Sequence, residues 1–149
     1  MKIILYILLM LSSSIFAQSK LDSLILNEVN LYRDSIGLNK LEYDKECFNI
    51  SYIHSNRLIL EKDKVYHSDN FIKAEVVNRM ENNYKKNDLY VEIKIAKQVV
   101  SCWKNSKDHN DILLNNDLKS FGGSTIIKKS GTGTNRWVHY IIVSTLNFK

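Results

Sequence analysis

"LILNEVNLYRDSIGLNKLEYDKECFNISYIHSNRLILEKDKVYHSDN" (residues 24–70) sets two helix signals back to back. Counting from Lys20, Leu21, Leu24, Ile25, Glu28 and Tyr32 recur at i, i+3, i+4, i+7 and i+11, the spacing of one helix face. The helix is expected to run from Lys20 to Ile36, with Gly37 as its C-terminal stop. Asp44 is placed to cap a second helix reaching about Glu61, with Cys47, Ile50, Ser51, His54 and Leu58 as its inner stripe. Beyond it, "KVYHSDNFIKAEVVNRM" (64–80) mixes turn residues at Ser68–Asn70 with β-branched ones and reads as an irregular segment with a short strand.

Working outward, "NNYKKND" (82–88) reads as a polar loop, and "LYVEIKIAKQVVSCWKNS" (89–106) as helical from about Ile95. A short helix is expected around His109. The chain then closes with two β-rich runs, "FGGSTIIKKS" and "RWVHYIIVSTLNFK", joined by the Gly/Thr-rich turn "GTGT" (131–134), which is a hairpin signal. There is no internal repeat. Helices followed by a hairpin imply an α+β domain whose helices pack on an antiparallel sheet.

Upstream, "MKIILYILLMLSSSIFAQSK" has a positive Lys2, nine apolar residues from Ile3 to Leu11, a serine run and a small Ala17. This is the layout of a secretory signal peptide over 1–17, with the mature domain spanning 18–149 and destined for secretion or the periplasm. The apolar run is shorter than the ~20 residues a spanning helix needs. Without Lys2 the chain keeps 20 basic and 16 acidic residues, a net +4. The basic residues stand in ones and twos among acidic ones, a solvated surface rather than a nucleic-acid reader. Cys47 and Cys102, in an exported chain, are either one disulfide or two small buried hydrophobes.

The sequence lacks HExxH, GxSxG and a phosphate-binding lysine loop. In "WKNSKDHND" (103–111), Ser106 and His109 stand three apart and share a face if helical. A nucleophile–base pair would also need an orienting acid and an oxyanion hole. Ser106 can instead cap a new helix with Asp108 second and His109 third, where a negative charge suits the dipole. His54 lies on the inner stripe of the second helix. His139 sits in a strand, and His67 and His109 lie in polar, non-strand surroundings.

The pattern resembles the CAP superfamily, the cysteine-rich secretory, antigen 5 and pathogenesis-related proteins, in its bacterial form. Leu26, Asn27, Asn30, Arg33, Gly37, Leu41, Asp44, His54, Ser55 and His67 match its opening run. Glu75 in "AEVV" matches its first glutamate. Val99, Trp103, Ser106, His109, Ile112 and Leu113 match its second motif, and "FGGST" and "WVHYIIVSTL" look like its final hairpin. The resemblance implies a three-layer α-β-α sandwich with a central antiparallel sheet. It also implies a cleft lined by His67, Glu75 and His109, the two histidines being ligands for a divalent metal such as zinc. Where relatives carry a second glutamate, Gln98 and Ser106 stand here, and Val76 replaces an asparagine. With no second carboxylate, metal affinity is expected to be modest. The function implied is an exported binding module for an extracellular ligand, lipid-like or protein, with no catalytic residue. The alternative is a metal-assisted, peptidase-like hydrolase with Glu75 as general base.

Overall fold

The computed structural model describes residues 18–61, 64–131 and 136–149. The signal peptide expected at 1–17, and the hairpin turn from residue 132 on, lie outside the described residues. Helix α1 (Lys20–Ser35) starts in a capping box: the Asp22 N–H donates to the Ser19 side chain, and the Asp22 carboxylate accepts from the Ser19 N–H. It ends at Gly37, whose φ of 79° lies in the left-handed region. Strand β1 (Glu42–Tyr43) leads to α2 (Lys45–Leu60), capped as expected by Asp44, which accepts from the Cys47 N–H at 2.8 Å. Then come β2 (Ala74–Lys85), α3 (Val91–Asn105), α4 (Lys107–Leu113), β3 (Ser120–Ser130) and β4 (Trp137–Phe148).

The sheet order is β1-β3-β4-β2. β3–β4 and β2–β4 are antiparallel, and the two-residue β1 lies parallel to β3, so the sheet is mixed by that one short pairing. On one face, α1, α3 and α4 close an apolar core that includes Ile25, Val29, Val76, Ile95, Val99, Trp103, Leu113, Phe121, Ile142 and Phe148. The other face takes α2, and most of that seam is polar. Ser51 Oγ donates to Gly122 O at 2.9 Å, and Ser55 Oγ reaches Ser124 O and Thr145 Oγ1 at 2.8 and 2.9 Å. Apolar contact there comes from a small group around Leu58, Val77 and Val143.

Two boundaries differ from the sequence reading. β2 continues through Asn82, Asn83 and Tyr84, read as loop, because each pairs with β4 opposite Tyr140, His139 and Val138. An edge strand tolerates such polar residues since one flank faces water. α3 begins a turn earlier, at Val91. Cys47 is buried on α2 and Cys102 exposed on α3; the two helices cover opposite faces of the sheet, and both thiols are free. Burial pushes the Cys47 thiol up to about 12, which leaves it protonated and inert.

Two motif residues are structural. The Asn30 side chain gives Nδ2–H to Leu41 O and accepts from the Leu41 N–H, both at 2.9 Å, copying a strand pairing that pins the chain after α1. Arg33 is wholly buried and donates to Asn39 O, Leu113 O and Asn115 O at 2.9, 2.7 and 3.0 Å. It thereby fastens the end of α1 to the C-terminal end of α4, where carbonyls lack helical partners and favour a cation.

Candidate functional site

Glu75 opens β2 and lies opposite Asn147 of β4, on the face that α2 covers. Its side chain is 1% exposed. A carboxylate taken from water must be met by donors, and three are supplied. Oε2 accepts from the Ser68 N–H at 2.7 Å and faces His67 Nδ1 at 3.2 Å; Oε1 accepts from Asn147 Nδ2 at 3.1 Å. Asn147 also donates to Ser51 Oγ at 3.1 Å, which ties the network to α2. The loop before β2 is thus folded back by the carboxylate, and His67 is delivered with it.

An ionised carboxylate only accepts, so Nδ1 is the His67 ring nitrogen that donates to it, and Nε2 is the one left for another partner. The His67 side chain remains 55% exposed, and Nε2 has no protein partner among the described residues. His109 arrives from α4, third in that helix after Ser106. The two imidazoles stand edge to face with centroids 6.2 Å apart. Burial, and next the neighbouring His67, lower the His109 pKa, with Asp108 opposing. At neutral pH His109 therefore holds a lone pair.

His67, Glu75 and His109 thus come together. Gln98 does not join them: its Oε1 accepts from Tyr84 OH at 2.6 Å and Asn82 Nδ2 at 3.1 Å, in the far half of β2. From Glu75 to Asn82 the strand covers roughly 23 Å. Ser106 lies at the α3–α4 junction. Its backbone is extended, as an N-cap requires, but its side chain makes no cap hydrogen bond. His54 is buried with Nε2 on Tyr66 O at 2.8 Å, a packing role. His139 pairs across strands with Asn83 and Glu81, partners invisible in the local sequence. Sequence reasoning missed Asn147 and Ser68. The signal for Asn147 was a polar residue at period two from Thr145, between the apolar Leu146 and Phe148.

As a metal site the donor set is two imidazoles, one oriented by a buried carboxylate, an arrangement common around bound zinc. Among the described residues no three His, Cys, Asp or Glu side chains form a set that could hold an ion. Two rings sharing a tetrahedral zinc at Zn–N distances of about 2.0–2.1 Å would have centroids about 5 Å apart, so the pair would have to close by about 1 Å. Two imidazoles alone would leave the remaining coordination positions of an ion to water or a ligand.

The model of CAP, the cysteine-rich secretory protein family, matches residues 26–145. The chain belongs to this family. No curated protein matches it. Among solved structures, this CAP domain is similar to an outer surface protein from Borrelia burgdorferi. The TM-score is 0.54 at 17% identity, over 89% of this chain and 95% of that one. It is also similar to MpPR-1i, with a TM-score of 0.53 at 14% identity over 87% and 84% of the two chains. At such identities the likeness is one of fold. Among the described residues of the domain, no helix is long and apolar enough to cross a membrane.

The His109 shift has a measurable sign. Its folded-state pKa is lowered, so below the ordinary histidine value of about 6.5 the unfolded chain takes the proton more readily and stability falls as pH drops. In an NMR titration His109 should have a midpoint below that value. His67→Asn should raise it only in part, since burial is the larger cause. A full return to the ordinary value in His67→Asn would show that charge, not burial, sets it.

Proposed function

We propose that this chain is an exported CAP-domain binding module whose His67–Glu75–His109 cleft engages an extracellular ligand and holds a divalent cation weakly. The observation that carries the reading is the state of Glu75. Both its oxygens are occupied by protein donors at the foot of the cleft, so it positions an imidazole rather than standing free to take a proton from water. This favours binding over the peptidase-like alternative, which needs Glu75 as an available base. His67 and His109 would hold the ion, which would supply a positive centre for anionic or carbonyl groups of the ligand. The residues themselves orient: Asn147 and the Ser68 N–H fix Glu75, Glu75 fixes the His67 tautomer, and burial keeps His109 neutral. Export, read from residues 1–17, places the module where such a ligand would be met.

A zinc titration of the mature domain tests this. Glu75→Gln is expected to weaken binding by about 10–100-fold, the usual effect of losing a partner that orients a metal ligand. Ser106→Glu, beside His109, should tighten it, whereas Gln98→Glu, held by Tyr84 and Asn82, should leave it unchanged. Unaltered affinity in Glu75→Gln, or tightening by Gln98→Glu alone, would contradict the proposed cleft.

A further inference from the structure

The end of the sheet remote from Glu75 presents large apolar side chains among cations. β2 finishes at Lys85, opposite Trp137, and the Lys86 N–H donates to Arg136 O at 2.8 Å. The chain then turns through Asn87, at a φ of 67°, and enters α3 by way of Leu89 and Tyr90. Leu89 is 89% exposed, Tyr90 64% and Trp137 52%. None of these three sits in the core, so their apolar surface adds little to folding while remaining costly in water. Lys85, Lys86 and Arg136 stand on the same tip, and Lys85 Nζ lies 6.0 Å from the Trp137 ring centroid. The turn's own carboxylate, Asp88, is neutralised by Lys94.

We propose that this tip docks on an anionic membrane surface, with Leu89, Tyr90 and Trp137 entering the headgroup region and Lys85, Lys86 and Arg136 meeting lipid phosphates. Tryptophan and tyrosine suit that boundary because one part of each ring system is apolar and another hydrogen-bonds. Lysine and arginine bury their stems there while the charge stays with the phosphates. The combination selects a bilayer over a soluble polyanion, which would satisfy the cations but give a leucine nothing to enter. β2 from Glu75 to Lys85 spans roughly 33 Å, so the histidine cleft would stand well clear of the lipid and open to solvent.

The two tryptophans provide the test, since Trp103 is buried and Trp137 is exposed. The mature domain would be mixed with vesicles of phosphatidylcholine alone, with vesicles of phosphatidylcholine plus phosphatidylglycerol, and with dextran sulfate. Expected is co-sedimentation with the anionic vesicles that weakens with added salt, a blue shift of Trp137 emission, and quenching by brominated acyl chains. Leu89→Ser should weaken binding about tenfold, and Arg136→Gln about fivefold. Unchanged Trp103 emission in Trp137→Phe would report an intact fold in the variants. Absence of binding to anionic vesicles would overturn the proposal. So would binding that leaves Trp137 unshifted, is insensitive to Leu89→Ser and is matched by dextran sulfate, or equal binding to neutral vesicles.

Discussion

Arg33→Ala should lose about 3–5 kcal/mol of folding stability, read as a large drop in the urea midpoint. The guanidinium is sealed from solvent and serves three carbonyls, those of Asn39, Leu113 and Asn115. Removing it strands carbonyls that water reaches poorly, at about 1–3 kcal/mol for each one fully buried, and leaves a cavity beside the core. Arg33→Lys should recover less than half, because a single ammonium cannot span three acceptors held by a planar fork. One of those bonds holds the last residue of α4 and another the chain just beyond it, and α4 carries His109, so the surviving folded Arg33→Lys protein should also bind zinc more weakly. A loss below about 1 kcal/mol in Arg33→Ala would mean that water replaces the guanidinium at these carbonyls.

Gly122→Ala should cost at least about 3 kcal/mol, the upper range for overpacking. A Cβ there would lie 2.3 Å from Phe48 N and 2.5 Å from Asp44 O, the pair that forms the first backbone hydrogen bond of α2. Neither atom can yield without lifting the helix from the sheet, which would also stretch the Ser51–Gly122 bond and loosen Asn147 beneath Glu75. Gly37→Ala supplies the contrast. Its φ of 79° is unfavourable for alanine, but no atom lies within 4 Å of the added carbon, so about 1–2 kcal/mol is expected. Equal losses at the two positions would argue against close approach as the reason for Gly122.

Both residues show what could be read from the sequence and what could not. The frame of α1 and α2 was legible because Gly37 and Asp44 act locally, and the closing hairpin because two β-rich runs flank a Gly/Thr-rich turn. The reach of β2 was not, since Asn82 and Asn83 become strand only through β4, more than fifty positions away. Arg33 and Gly122 were marked only as residues of the family's motifs, with no role attached; their partners lie on elements that only the fold brings near. In the site, His67 and Glu75 are eight positions apart and His109 came from the second family motif, so their grouping was anticipated. The same resemblance offered Gln98 or Ser106 for the place of a second glutamate; a hydrogen bond from Tyr84 holds Gln98 elsewhere. Asn147 was missed because nothing near it in the chain reveals that it faces a buried carboxylate.

The most direct test of the cleft is a zinc titration followed by imidazole nitrogen NMR on the mature domain. The chain has four histidines, so each can be assigned by single substitution. If the cleft holds the cation, Nε2 of His67 and a ring nitrogen of His109 shift together toward one equivalent of zinc, His67 Nδ1 keeps its proton on Glu75, and His54 and His139 do not move. His109→Ala should abolish the His67 shift. Zinc that shifts His139 or His54 instead, or that leaves His67 and His109 unmoved at saturating concentration, would contradict the cleft as a cation-holding site.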